Sequence, residues 1–274
     1  MTATVAERRL TAFLDGEDSP TISNPIHSTE VAAQYGYRGA LVGGVTVYGW
    51  LTPVIVEALG ERWLSDGWAD VRFRRPVFPG DELTARAELR GDALATVAMV
   101  NDDGANAIEG EAGVGEAPWL GELTLPVRRL AEEAEDALPP LTLDSAPVGQ
   151  DLRPMPVFWS LQDAQAWATD KQRDTSARWT GPDAIAHPSW LAARMTPLIH
   201  HSYNYGPAIH TRTQVQHMAA ARVGQLFTVA GHFLKAYEEK GHHVAVVDGV
   251  ILDEGNTEVA RIRHTTIFRI RPPK

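Results

Sequence analysis

The sequence predicts an α+β protein made of two copies of one unit, each a long apolar helix wrapped by an antiparallel sheet. An internal repeat is the first observation. Ala40-Leu-Val-Gly-Gly-Val-Thr-Val-Tyr-Gly-Trp-Leu-Thr-Pro53 parallels Ala184-Ile-Ala-His-Pro-Ser-Trp-Leu-Ala-Ala-Arg-Met-Thr-Pro197, so position 40 maps onto position 184. The same spacing sets Val71 on Val215, Gly80 on Gly224 and Thr84 on Thr228 without a gap. The second observation is the order of features, run through twice: apolar helix, strand, glycine turn, further strands. The third is that each helical stretch is apolar all round, which is stable only under a curved sheet.

The helices are expected over residues 45–59 and 189–203. Pro53 and Pro197 stand near their middles and should kink them, because proline lacks a backbone donor and collides with the preceding turn. Strands are expected over 68–77, 81–89, 93–100 and 107–114 in the first copy. The second copy should have them over 209–216, 226–237, 243–252 and 258–270. Pro79-Gly-Asp81 and Asp102-Asp-Gly104 are turn signals. Asp103-Gly104 matches Glu254-Gly255, so the second copy holds about seven additional residues, placed near Lys240-Gly-His-His243. The expected domains are 1–116, a linker over 117–150, and 151–274. The linker carries Glu132, Glu133, Glu135 and Asp136, then Leu138-Pro-Pro-Leu, and reads as a surface connection with a short helix over 127–137. Its acidic run reads as a solvated face.

Composition narrows the function. Lys plus Arg is 25 against 35 Asp plus Glu, a net charge of −10, which repels a phosphate backbone and argues against nucleic-acid binding. The chain has no cysteine, which removes disulfides, thiolate catalysis and iron–sulfur clusters and fits a cytoplasmic protein. Its start lacks the apolar run of a secretory signal. Residues 40–56 are uncharged, but three glycines, Pro53 and a length short of the roughly 20 residues of a spanning helix mark a buried helix, not a membrane segment. Adjacent histidines at 200–201 and 242–243 point apart on a helix or strand, so neither pair makes a metal site. No nucleotide loop or nucleophile elbow is present, and no cofactor is called for.

Asn24-Pro-Ile-His27-Ser-Thr-Glu-Val-Ala-Ala33, then Tyr37-Arg-Gly-Ala-Leu-Val-Gly-Gly44, resembles the MaoC-like enoyl-thioester hydratases and dehydratases of hot-dog fold. Phe73-Arg-Arg-Pro-Val-Phe-Pro-Gly-Asp81 is similar to that family's strand and turn after the central helix. The resemblance is strong from about Asn24 to Leu89 and weak from Gly181 onward. It implies a double hot dog that acts on acyl groups carried by coenzyme A or acyl carrier protein. One departure stands out. The family's motif has an Asp two residues before the Asn, and here that position is Ile22. The second copy has no Asn-Pro-x-His and shows Ala184-Ile-Ala-His187 where the family commonly has a His-Gly pair.

The resemblance makes His27 the acid/base candidate, since imidazole exchanges protons near neutral pH. Asn24 would position water or the loop. Gly43 and Gly44 open the first helix, where free N–H groups can hold a thioester carbonyl. Glu30, three residues beyond His27, shares its face if the stretch is helical and is the candidate replacement carboxylate. His187, Tyr205 and His210 are polar groups in apolar settings and are expected to face the substrate. Three readings follow: reversible hydration of a 2-enoyl thioester; the same fold turned to a thioesterase, cyclase or isomerase; or a non-catalytic acyl-binding module. Uncovered sheet edges in this fold commonly pair, so a homodimer is expected.

Overall fold

A computed structural model describes residues 5–272. Among these residues eleven strands form one continuous antiparallel sheet. In the first lobe the strands are β1 (Val5–Thr11), β2 (Gly67–Phe73), β3 (Glu82–Leu89), β4 (Leu94–Asn101) and β5 (Asn106–Val114). In the second they are β6 (Gln150–Asp151), β7 (Met155–Trp159), β8 (Ile209–His217), β9 (Gln225–Glu239), β10 (His242–Leu252) and β11 (Glu258–Arg269). Their spatial order is β1-β3-β4-β5-β2-β8-β11-β10-β9-β6, with β7 also on β9. The two halves are mirror images in strand order about the β2–β8 junction. Asp70 pairs across that junction with Gln214, its own counterpart in the repeat, so the pseudo-twofold axis passes between them.

Each expected long helix is present as two short ones. Gly44–Gly49 (α2) and Thr52–Leu59 (α3) make the first rod; Pro188–Ala192 (α7) and Met195–His200 (α8) make the second. The breaks at 50–51 and 193–194 fall two to four residues before Pro53 and Pro197, where the ring cannot coexist with the previous turn. Tyr48, Leu51, Val54 and Ile55 of the first rod are buried, as are Trp190, Leu191, Met195, Leu198 and Ile199 of the second. Burying each such large side chain contributes about 1.5–3 kcal/mol. The second rod lies so close to the sheet that a Cβ on Gly249 would come within 2.4 Å of the Met195 sulfur and 2.9 Å of the Ala230 carbonyl oxygen.

Four smaller helices complete the part of the chain that the site uses or that sequence reading passed over: Thr29–Gln34 (α1), Trp63–Asp66 (α4), Leu161–Ala166 (α5) and Ala177–Thr180 (α6). A π-helical turn, Trp167–Lys171, extends α5. The eight predicted strands form, with ends shifted by a few residues. The additional residues of the second copy lie within β9, which has 15 residues against 8 in β3, and not in the turn near Lys240.

The helix expected over 127–137 does not form. The Val127 and Arg128 N–H groups donate to the Asp151 carboxylate, and the Glu132 N–H donates to the Pro154 carbonyl. With those donors committed to the second lobe, the chain stays irregular there. Buried Asp248 holds the same connection by accepting from the Thr124 N–H at 2.8 Å. No helix among the described residues is long and apolar enough to cross a membrane.

Candidate active site

A cavity of about 590 Å³ opens between the two rods. Asn24 starts the wall. It precedes a one-turn 3-10 helix, Pro25–His27, whose proline presets the first φ. The Asn24 amide is fixed by the other lobe: its Nδ2 donates to the Ala208 carbonyl at 2.9 Å, and its Oδ1 accepts the Ala208 N–H at 3.0 Å. The turn is also laced to the approach of α2, since the Leu41 N–H donates to the Ile26 carbonyl.

That lacing orients His27. Its Nδ1 lies 2.7 Å from the Leu41 carbonyl oxygen, which can only accept, so Nδ1 carries the proton. In the neutral ring Nε2 is therefore unprotonated, its lone pair 3.3 Å from the Asn24 Nδ2 that donates to it. Burial pushes the His27 pKa below the ordinary histidine value, and the Lys171 charge adds to this. The Leu41 hydrogen bond and the Asp15 charge oppose it without reversing it. The imidazole is thus an unprotonated base at neutral pH.

Gly43, with φ −56° and ψ 127°, caps α2. Among the described residues no protein acceptor engages the Gly44 or Val45 N–H, as expected for a first helical turn. A Cβ on Gly43 would lie 3.4 Å from Asp15 Oδ2, and one on Gly44 3.2 Å from the Phe73 ring, so the glycines leave the helix head open.

Asp15 is the charge-paired carboxylate of the cavity, and sequence reading missed it. It comes from the loop after β1. It accepts from Thr46 Oγ1 and lies 3.4 Å from Lys171 Nζ of the π-helical turn. Burial raises its pKa, but the Lys171 charge, the Thr46 bond and the His27 charge together outweigh that, leaving it below the usual carboxylate value and ionised. Ile22 also lines the cavity, as an apolar wall.

The remaining candidates divide. His210 lines the cavity, tilted against Phe73 with ring centroids 4.7 Å apart and backed by buried His264 at 3.0 Å. Glu30 does not reach it. Ser28 caps α1 by accepting the Val31 N–H, so His27 lies outside that helix, the shared face does not exist, and Glu30 is exposed in the first turn. His187 is buried at the head of α7. Its Nδ1 accepts the Ser189 N–H, and it caps its own helix instead of facing substrate. Tyr205 lies outside the cavity, stacked on His200 at 3.9 Å. Of the large tryptophans only Trp167 lines the cavity; Arg74 and Arg75 line its rim, paired with Glu109 and Asp103. The second lobe also contributes Lys171 and Arg194, for which no local motif exists in the sequence.

Comparison with known proteins agrees with this architecture. Residues 23–110 match the MaoC-like domain family. A Mycobacterium tuberculosis protein described as a double hot-dog fold superposes with a TM-score of 0.64 at 13% identity, covering 97% of this chain and 96% of that one. A MaoC-domain protein from Chloroflexus aurantiacus, provisionally described as a dehydratase, superposes at 0.60 and 14% identity, covering 89% and 86%. A Lactobacillus plantarum protein provisionally described as an oleoyl thioesterase reaches 0.51 at 11% identity, covering 99% and 98%. No curated protein matches the sequence. The chain thus has the double hot-dog fold, and residues 23–110 of its first lobe match the MaoC-like domain family.

Proposed function

We propose that the protein is a hydratase/dehydratase of 2-enoyl and 3-hydroxyacyl thioesters, carried on coenzyme A or acyl carrier protein. The observation that carries this reading is the convergence, in one cavity, of an oriented imidazole lone pair with a helix head whose N–H groups have no protein acceptor. Residues 1–116 would supply the chemistry, 151–274 would close the acyl cavity, and 117–150 would connect them. Arg74 and Arg75 at the rim suit the phosphates of the carrier.

In this mechanism the thioester oxygen accepts hydrogen bonds from the Gly44 and Val45 amides. Water oxygen attacks C3 while His27 Nε2 takes one water proton. The electron pair moves through C2 onto the thioester oxygen, where the helix head stabilises the enolate. His27 then returns the proton to C2, so H and OH are added in sum. Asn24 holds the ring and the attacking water, and Asp15, ionised, accepts the water's other hydrogen. His210 forms part of the acyl wall.

Crotonyl-CoA should gain the mass of water without releasing thiol. His27→Ala should lower kcat/KM by about 10²–10⁴, the usual contribution of general acid–base catalysis. Equal rates for the two proteins would refute the assignment of His27. Release of free thiol in place of hydration would move the chemistry to hydrolysis, for which Asp15 is the available carboxylate.

A further inference from the structure

Arg194 lies in the break between α7 and α8 and lines the same cavity. In the repeat its counterpart is Trp50, a buried ring that donates to the Lys171 carbonyl. The second lobe therefore puts a cation where the first puts packing. Among the described residues the only protein acceptor of Arg194 is the Trp190 carbonyl, taken by Nε at 3.0 Å. Its guanidinium carbon lies 4.5 Å from the Trp190 ring centroid and 5.9 Å from that of Trp167. Among the described residues no carboxylate is within salt-bridge reach of it. The other charges of the cavity do not compensate. Asp15 is matched by Lys171, and Glu17 stands exposed at the rim without an ion pair among the described residues. Burial lowers the Arg194 pKa to about 10, so the group still carries its charge at neutral pH.

A guanidinium flanked by two rings and given one backbone partner leaves most of its donors for something that enters the cavity. We infer that Arg194 binds a carboxylate on the acyl group, so the preferred substrate is a thioester of a dicarboxylic acid. This rests on the proposed function and specifies its substrate class. A planar fork matches a carboxylate bidentately.

The test separates the two claims. Saturated succinyl-CoA and butyryl-CoA share a four-carbon chain and differ in the terminal carboxylate; glutaryl-CoA and pentanoyl-CoA do the same with five carbons. Binding to wild type should favour a dicarboxylic member by on the order of 100-fold, the scale of a charge-assisted pair. That preference should collapse in Arg194→Met and survive in part in Arg194→Lys. The ratio of kcat/KM for fumaryl-CoA over crotonyl-CoA should follow the same course. Equal wild-type binding within both pairs would overturn the inference. So would an Arg194→Met variant that weakens free coenzyme A and all four thioesters alike, which would assign the cation to the carrier phosphates. Because the saturated probes need no turnover, a protein that binds the dicarboxylic pair selectively but hydrates nothing would refute the hydratase reading alone. If Arg194→Met does not fold, the wild-type comparison and Arg194→Lys still decide.

Discussion

Ile22 and Asp15 both line the cavity, and only the second carries a charge. The Asn-Pro-x-His turn could be read in the sequence because its parts are neighbours and proline and backbone hydrogen bonds fix their geometry locally. Asp15 could not be read that way. It arrives on a loop after an edge strand, and its role appears only once Thr46 and Lys171 close around it. Lys171 and Arg194 were equally hidden, since they belong to the other lobe. Glu30 failed for a local reason: a serine cap at 28 starts a new helix and breaks the register with His27. The charge of Asp15 raises the His27 pKa, while burial, the larger influence, holds it below the ordinary value near 6.5. Hydration should therefore be at its plateau at neutral pH and fall as pH drops below 6.5, when Nε2 gains a proton. Removing the carboxylate with Asp15→Asn should move that acid limb to lower pH and reduce the plateau. A limb that stays put or moves up in a kcat/KM profile would separate Asp15 from His27.

At the scale of elements, the two rods share a plan and differ at their heads. Gly43-Gly44 opens the first, and His187-Pro188 opens the second at the matching positions. Gly43 and His187 have similar backbones, φ −56° and ψ 127° against φ −62° and ψ 140°. Pro188 supplies no N–H, and the His187 ring fills the space over the turn, so the second head cannot hold a carbonyl. This explains why one cavity serves two lobes. It also defines a substitution the backbone accepts. Gly44→Pro follows a residue already in the extended region that precedes proline, and proline suits the first helical position. The Phe73 ring, 3.2 Å from a Cβ there, must give slightly. The variant should melt within a few degrees of wild type yet lose about 10²–10³ in kcat, the effect of removing one oxyanion donor. Retained activity in a folded variant would take the Gly44 amide out of the mechanism. The repeat, the strands and the kinked rods were legible because period-two patterns, turn glycines and mid-helix prolines act locally. β1, β6 and β7 were not. β1 is an edge strand with exposed, charged residues, and the other two are short pieces seated on β9.

Across the whole molecule, the continuous sheet makes the β2–β8 junction part of each lobe's core, and that junction is lined by neutral histidines. His217 donates to the Trp63 carbonyl at 2.8 Å from the end of β8, and His210 and His264 meet between β8 and β11. With His187 at the head of α7, these four lie within the second lobe or its border with the first. Burial lowers the pKa of His187 to about 3 and those of His210 and His217 to about 4, and it drives His264 well below the ordinary value. Unfolded, each returns to near 6.5. Between these limits the unfolded chain binds more protons than the native one, so stability rises with pH through this window and is lost as pH falls. His187, His210 and His217 each contribute up to about 1.4 kcal/mol per pH unit below 6.5, so two units of acidification across these three amount to on the order of 8 kcal/mol, within the range of a typical domain's total stability, and His264 acts in the same direction. The carboxylates held low, Asp15 and Asp151 among them, act in the same direction but only near pH 4 and below. The midpoint of thermal unfolding should therefore fall steeply between pH 6.5 and 4.5, before carboxylate titration matters, and unfolding at pH 5.5 should take up several protons. A midpoint flat from pH 7 to pH 5 would mean that the junction histidines are not held neutral, and that the two lobes are less tightly joined than their shared sheet implies.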